Sequence, residues 1–247
     1  MANTEEHNHS PLSQFEIHSL VDIYPGGYNI SFTNSSLAMV VTVILITLFL
    51  TLTVKKRSLI PSRLQLISES IYLFIEKLLE DTVGEEGKKY FPIVFSIFVF
   101  VLIGNMIGMI PYSFTFTSHI IVTFILAAMV FLGVTILGLI KHKMHFFSFF
   151  VIPGLPIYML PLLLPIEIIS YLSRPISLSV RLFANMLAGH TLLKVFAGFV
   201  VSLGFAGVFP LAFIVALTGL EILIAFLQAY VFAILTCLYI NDALHLH

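Results

Sequence analysis

Five stretches of this chain are too long and too apolar to fold anywhere but in a lipid bilayer. Residues 37–54, 91–111 and 120–140 each carry close to the ~20 apolar residues that a helix needs, at about 1.5 Å per residue, to cross a ~30 Å hydrocarbon core. Residues 166–201 and 211–239 exceed that length, so each must tilt or curve if it stays in the membrane. Lipid offers no partner to a backbone N–H or C=O, so apolar spans of this kind are helices. The expected fold class is an all-α polytopic membrane protein, read as a single integral membrane domain over 1–247. It has an N-terminal spanning helix, an amphipathic surface helix, further membrane helices and two long tilted helices forming a hairpin. Only 10% of the residues are charged, against about 25% in a soluble domain. A net charge of −1 provides no basic field for nucleic acid. The single cysteine, Cys237, excludes a disulfide framework and a cysteine metal cluster within the chain.

Charge orients the spans. Residues 1–36 are polar and acidic, with Glu5, Glu6, Glu16 and Asp22, and Pro25-Gly26-Gly27 marks a turn. The opening MANTEEHNHS has neither the basic and apolar regions of a signal peptide nor the arginines of an import peptide, so neither is expected. Lys55, Lys56, Arg57 and Arg63 follow the first span and place that end inside, with 1–36 outside. Between 62 and 90, Leu64, Ile67, Ile71, Phe74, Ile75 and Leu78 recur at helical spacing, with Glu69, Glu76 and Glu80 on another face. This is the pattern of an amphipathic helix on the inner surface. Gly84-Glu85-Glu86-Gly87-Lys88-Lys89 lacks the glycine spacing and the Ser/Thr of a phosphate loop, and no other nucleotide motif occurs.

With no tryptophan, an interfacial belt would fall to Tyr24, Tyr28, Tyr90 and Tyr112. In the second span, Gly104 and Gly108 form GxxxG, a signal for close helix packing, and Asn105 is expected to hydrogen-bond across helices. Lys141 and Lys143 mark the inner end of the third span, and His142 and His145 read as solvated headgroup-level side chains. Four prolines, Pro153, Pro156, Pro161 and Pro165, make 146–165 a broken or re-entrant element. Gly204, Gly207 and Pro210 set the turn of the hairpin. No internal repeat is visible.

Charges are scarce in the last two helices, so their positions inform. A charged side chain at mid-bilayer costs roughly 3 kcal/mol on insertion scales and is functional by default. Glu167, Ser170, Arg174, Ser177, Arg181 and Asn185 fall within about a 90° sector of one helix. Glu167 lies about 21 Å from Arg181 along the axis, toward the inner side. Pro175 interrupts the stripe and frees the Tyr171 carbonyl, so a kink or local irregularity is expected there.

In the last helix Glu221 and Gln228 share a face about 10 Å apart. If Gln228 lies level with Arg181 in an antiparallel hairpin, Glu221 lies near the level of His190. His190 falls about 180° from Arg181, so it faces the partner helix or a cavity. Arginine stays charged and cannot relay a proton, whereas His190 and Glu221 can. The pattern favours an outer proton path through His190 and Glu221 that ends near a fixed positive charge. A separate inner path runs past Glu167, with Ser170, Arg174 and Ser177 as further candidates. The alternatives at this point are Arg181 as a buried brace to Glu221 or Glu167, and Arg174 as a structural partner of Glu167. Lys194, near the outer interface, can snorkel and is assigned no function.

SLSVRLFANMLAGH at 177–190 resembles the signature of subunit a of F-type ATP synthases. GNMIGMIPYSFTFTSHI at 104–120, TGLEILIAFLQAYVF at 218–232, SPLSQFEI near the N-terminus and the ending YINDALHLH resemble the same family, in its mitochondrial and alphaproteobacterial branch. The resemblance implies a proton-translocating stator subunit whose hairpin packs against a c-ring. Its partners would be that ring, peripheral-stalk and other membrane-sector subunits, lipid and protons, with no cofactor, metal, nucleic acid or directly bound nucleotide. It would be part of an enzyme complex without nucleotide chemistry of its own. The resemblance implies Arg181 as the arginine between two half-channels, Asn185 and Gln228 as its polar neighbours, His190 and Glu221 in the outer half-channel, and Glu167 in the inner one. It points first to a multi-pass protein of the mitochondrial inner membrane and second to an alphaproteobacterial plasma membrane. A secondary transporter with a charged mid-membrane site is the alternative function; its inverted repeats are not seen.

Overall fold

The computed structural model describes residues 15–22, 31–55, 62–110, 113–143 and 160–245. Tyr24, Tyr28, Tyr112, Lys56, Arg57, His145, Pro153, Pro156 and His247 lie outside the described residues, as does the Pro25-Gly26-Gly27 turn. A short antiparallel pair, β1 (Ser19–Val21) and β2 (Phe32–Thr33), precedes six helices: α1 (Asn34–Lys55), α2 (Arg63–Val83), α3 (Phe91–Gly108), α4 (Ile120–His142), α5 (Leu160–Ser202) and α6 (Val208–Leu244). Five of them, all but α2, are long and apolar enough to cross a membrane.

Local chemistry sets the ends. The hydroxyl of Ser62 accepts a hydrogen bond from the Gln65 amide (3.3 Å) and caps α2. Gly84, at φ +78°, turns the chain out of that helix into a 3-10 segment, Glu85–Tyr90. Pro92 then enters the first turn of α3, where its missing N–H costs nothing. In α1, which lies at the edge of the bundle, the hydroxyls of Thr42, Thr47 and Thr51 donate to the carbonyls of Ala38, Val43 and Thr47 (2.7–2.8 Å). These polar groups are satisfied within the helix itself, as lipid contact demands.

Of the four prolines in 146–165, Pro161 and Pro165 behave differently from expectation. The helix α5 starts at Leu160, ahead of 166, and takes in Pro161, Pro165 and Pro175 without an assigned break. Pro161 sits in the first turn, where the amide has no intrahelical partner to lose. The remainder of the 146–159 stretch, including any re-entrant turn, lies outside the described residues. At 43 and 37 residues, α5 and α6 are about 65 and 55 Å long. Both are close to twice the bilayer core, so both must run obliquely. A 3-10 turn, Gly204–Gly207, joins them. Gly204 adopts φ +55°, and a Cβ on Gly207 would lie 2.5 Å from the Val200 carbonyl oxygen, so the turn closes on backbone.

The C-terminal half of α6 is the centre of the bundle. Ala225, Ala229, Phe232, Ala233, Cys237, Ile240 and Leu244 are buried against Val94 and Phe98 of α3, Ile75 and Leu79 of α2, Ala127 and Val130 of α4, and Leu178 and Leu182 of α5. Small residues along α6 let these helices approach closely. The apolar stripe of α2 divides. Ile75 and Leu78 join this core, whereas Leu64 and Ile67 remain exposed on the chain.

The GxxxG of α3 packs against a different partner from the one its spacing suggests. A Cβ on Gly104 would lie 2.5 Å from Phe116, and one on Gly108 would lie 2.6 Å from Thr115. Both glycines therefore receive the segment 113–119, which holds one short 3-10 turn, Phe116–Ser118, and not another spanning helix. Phe116 is 1% exposed and has nowhere to retreat. Gly104→Ala is expected to destabilise the protein by about 1–3 kcal/mol, the cost of overpacking a filled site. Adding Phe116→Leu should recover most of that loss. Gly133→Ala, where no atom lies within 4 Å of the new methyl, should be silent. Thermal unfolding of the detergent-purified complex reads all three; a Gly104→Ala midpoint equal to that of Gly133→Ala would contradict this packing.

Candidate functional site

The polar stripe of α5 splits into two edges. Ser170, Ser177 and Arg181 are exposed on the outer surface of the hairpin, while Glu167, Arg174 and Asn185 are half-buried. On a helical wheel the half-buried group lies toward one side of the sector, where Leu178, Leu182 and Met186 continue into the core. Arg181 makes no hydrogen bond or ion pair among the described residues. The brace to Glu221 or Glu167 is therefore not formed within this chain. Around Arg181, Ser177, Ala184 and Ala188 are exposed and small, so the guanidinium stands on a shallow surface.

Below Arg181, toward the inner end, Arg174 is satisfied within the chain. Its Nη1 donates to Asp242 Oδ2 at 2.8 Å, and its guanidinium carbon lies 5.5 and 5.4 Å from the ring centres of Tyr171 and Tyr239. Tyr171 shares a 2.8 Å hydrogen bond with Thr135 of α4, which ties three helices together at this level. The structural partner of Arg174 is thus Asp242, not Glu167. The guanidinium lies over aromatic faces as cation–π contacts require. The same end is closed by Lys141 to Glu86 (2.7 Å) and by His142 Nε2 to the Leu244 carbonyl (3.3 Å). His142 is therefore more than solvated: it pairs with one of the carbonyls left free where α6 ends.

Above Arg181 the two helices exchange polar contacts. Asn185 Nδ2 donates to Gln228 Oε1 at 3.0 Å, so Gln228 sits level with Asn185, one turn higher than the expected register. His190 Nδ1 lies 3.3 Å from Glu221 Oε1. From Asn185 to His190 the rise is about 7.5 Å, and from Gln228 to Glu221 about 10.5 Å. The side chains span the difference, which is why both pairs meet despite the shifted register. Glu221 is 4% exposed, and neither carboxylate oxygen receives a hydrogen bond among the described residues. Gly189 makes room for it: a Cβ there would lie 2.5 Å from Oε1. Asn105 donates to the Ala225 carbonyl at 3.3 Å, one turn from Glu221, as an interhelical bond.

His190 opens on the other side into a cavity of about 650 Å³ near the outer end of the hairpin, lined by Phe15, Ser113, Thr115, Lys194 and Thr218 among others. Its Nε2 lies 3.3 Å from Thr115 Oγ1, and Phe15 approaches with ring centres 6.3 Å apart. Phe15 is brought there by Asn34, whose side chain donates to the Glu16 carbonyl (3.0 Å) and accepts from the His18 amide (3.3 Å). Sequence reasoning did not single out Thr115, Gly189, Asp242 or the two tyrosines. Of these, only Gly189 carried a local signal, a glycine inside a helix directly before a titratable residue.

The family model described as ATP synthase A chain matches residues 36–241. The chain is similar to ATP synthase subunit a of Pelagibacter ubique, 60% identical over 240 residues covering 96% of this chain and 98% of that protein. It is also similar to ATP synthase subunit a of Mesorhizobium japonicum, 59% identical over 242 residues covering 95% and 96%. The protein of the same name from Rhodospirillum rubrum is 55% identical over 240 residues covering 97% and 100%.

Proposed function

The chain belongs to the ATP synthase A chain family, and on that premise we propose that its hairpin carries protons to and from a ring of c subunits through two half-channels. As a multi-pass membrane subunit of the synthase it translocates protons and takes part in ATP synthesis. The observation that carries the mechanistic reading is the contrast along one helix: Arg174 is paired and stacked, while Arg181, seven residues on, stands exposed among small side chains with no ion pair among the described residues. A fixed charge in lipid with no ion-pair partner among the described residues calls for one on a neighbour. A carboxylate of the ring, sliding past Ser177, Ala184 and Ala188, supplies it.

In this reading Arg181 lowers the proton affinity of the carboxylate that faces it and blocks proton leakage, because it does not deprotonate. The Asn185–Gln228 hydrogen bond sets a polar neighbourhood just above it. The outer path enters the 650 Å³ cavity and reaches His190 and Glu221. The inner path leaves along Glu167, with Ser170 and Ser177 on the exposed edge. Arg174 acts there as a structural post through Asp242. Peripheral-stalk and other membrane-sector subunits complete the assembly. The alphaproteobacterial relatives favour the plasma membrane over the mitochondrial inner membrane.

Vesicles carrying the assembled synthase should make ATP from an imposed proton gradient in sodium-free buffer, and the purified chain alone should carry no solute. A strict sodium requirement would overturn proton coupling; solute uptake by the chain alone would favour a secondary transporter.

A further inference from the structure

The geometry points to Thr115 as the positioning residue that keeps a proton on His190 Nε2, leaving Nδ1 as the nitrogen that exchanges protons with Glu221. This rests on the outer-path reading of His190. Thr115 is 3% exposed and held from three sides. Its hydroxyl donates to the Gly108 carbonyl at 3.4 Å. Its own carbonyl accepts a 2.6 Å hydrogen bond from Ser118 Oγ. Next to it, Phe116 is locked over Gly104. Gly108 is what permits this placement, since a Cβ there would sit 2.7 Å from Thr115 Oγ1.

A hydroxyl has one proton to give and two lone pairs. The Thr115 hydroxyl lies 3.4 Å from the Gly108 carbonyl and 3.3 Å from His190 Nε2; with its proton directed at Gly108, the oxygen facing Nε2 accepts. Nε2 must then carry the hydrogen, and in a neutral imidazole the other nitrogen is bare. That bare nitrogen is Nδ1, which lies 3.3 Å from Glu221 Oε1. His190 therefore works as a one-nitrogen base. Nδ1 takes up a proton, forming the imidazolium, and gives the same proton to the Glu221 carboxylate; Nε2 keeps its own throughout. The titratable and charged groups facing His190 are Glu221 from α6 and Lys194 one turn above on α5. The 113–115 segment brings hydroxyls, the end of α3 and the two residues after it bring Gly108, Met109 and Ile110, and the N-terminal segment brings Phe15.

The test uses the assembled synthase in vesicles. Thr115→Val keeps the shape and removes the hydroxyl; Thr115→Ser keeps the hydroxyl. The valine variant is expected to lower proton flux by about tenfold, less than the ~10²-fold or more that a positioned acid–base group itself contributes, and to displace the pH profile of that flux. The serine variant should restore both. Nitrogen-15 spectra of histidine-labelled protein, with the His190 signal assigned by its loss in His190→Ala, should show the Nε2–H form in the wild type. Wild-type flux and pH profile in Thr115→Val, or equal impairment in Thr115→Ser, would overturn the inference. So would an Nδ1–H signal, which decides the matter even if the valine variant fails to assemble. Normal flux in His190→Ala would instead remove the outer path itself; blocked flux there beside a normal Thr115→Val sinks only the role of Thr115.

Discussion

Arg181→Ala is expected to reduce proton-driven ATP synthesis by about a hundredfold or more, the scale on which one preorganised charged group matters. Arg181 is exposed and makes no hydrogen bond or ion pair among the described residues, so its removal takes no bond from the fold. The subunit should therefore still insert and assemble, and the loss should be functional. Arg181→Lys is expected to fail as well. Lysine keeps the charge but is a compact ammonium that gives up its proton when desolvated, whereas a guanidinium does not. Synthesis under an imposed gradient and passive proton leak, measured on the same vesicles, separate the two duties of the residue: synthesis should fall while leak rises or persists. Retained synthesis in Arg181→Ala would remove the divider from the mechanism.

The second large effect concerns the pair above it. Glu221→Gln and His190→Ala should each slow proton flux by about 10²-fold, the contribution of a positioned acid–base group. Stability should change by no more than about 1 kcal/mol for Glu221→Gln, because the amide is isosteric and the carboxylate oxygens it replaces accept no hydrogen bond among the described residues. Gly189→Ala adds an independent probe. It leaves every titratable group in place but sets a methyl 2.5 Å from Glu221 Oε1, so the carboxylate must swing off its 3.3 Å approach to His190. Flux should fall in that variant too. Wild-type flux in Glu221→Gln and His190→Ala would dismiss the outer path; wild-type flux in Gly189→Ala alone would mean the pair tolerates displacement.

Much of the fold was legible because lipid imposes one rule: an apolar stretch of sufficient length must be a helix. The five spans follow from that rule alone. What the rule does not cover was misread. The prolines at 161 and 165 signalled a broken element, yet Pro161 falls in the first turn, where no amide bond is lost, and the helix continues through Pro165 at the cost of one. The Gly104–Gly108 spacing signalled a helix partner, yet its partner is a segment only a few residues downstream, because a glycine groove accepts any surface that fits. In the site, helical periodicity alone put Glu221 and Gln228 on one face and His190 behind Arg181. Register was beyond it: Gln228 meets Asn185 and not the level of Arg181, since nothing local fixes how far one helix slides along another. Asp242 was not singled out, because a salt bridge across 68 positions leaves no trace in the spacing of either partner. Thr115 was one hydroxyl among several in its segment until the fold placed it against an imidazole.

The exposed guanidinium also bears on the energy of the subunit before assembly. A newly inserted copy of this chain holds Arg181 against acyl tails, at roughly 3 kcal/mol on insertion scales. That energy is returned only when a partner carboxylate arrives, so an orphan copy sits uphill of the finished machine. In the proposed mechanism, the residue that divides the two proton paths is thereby also the one that raises the energy of the lone subunit.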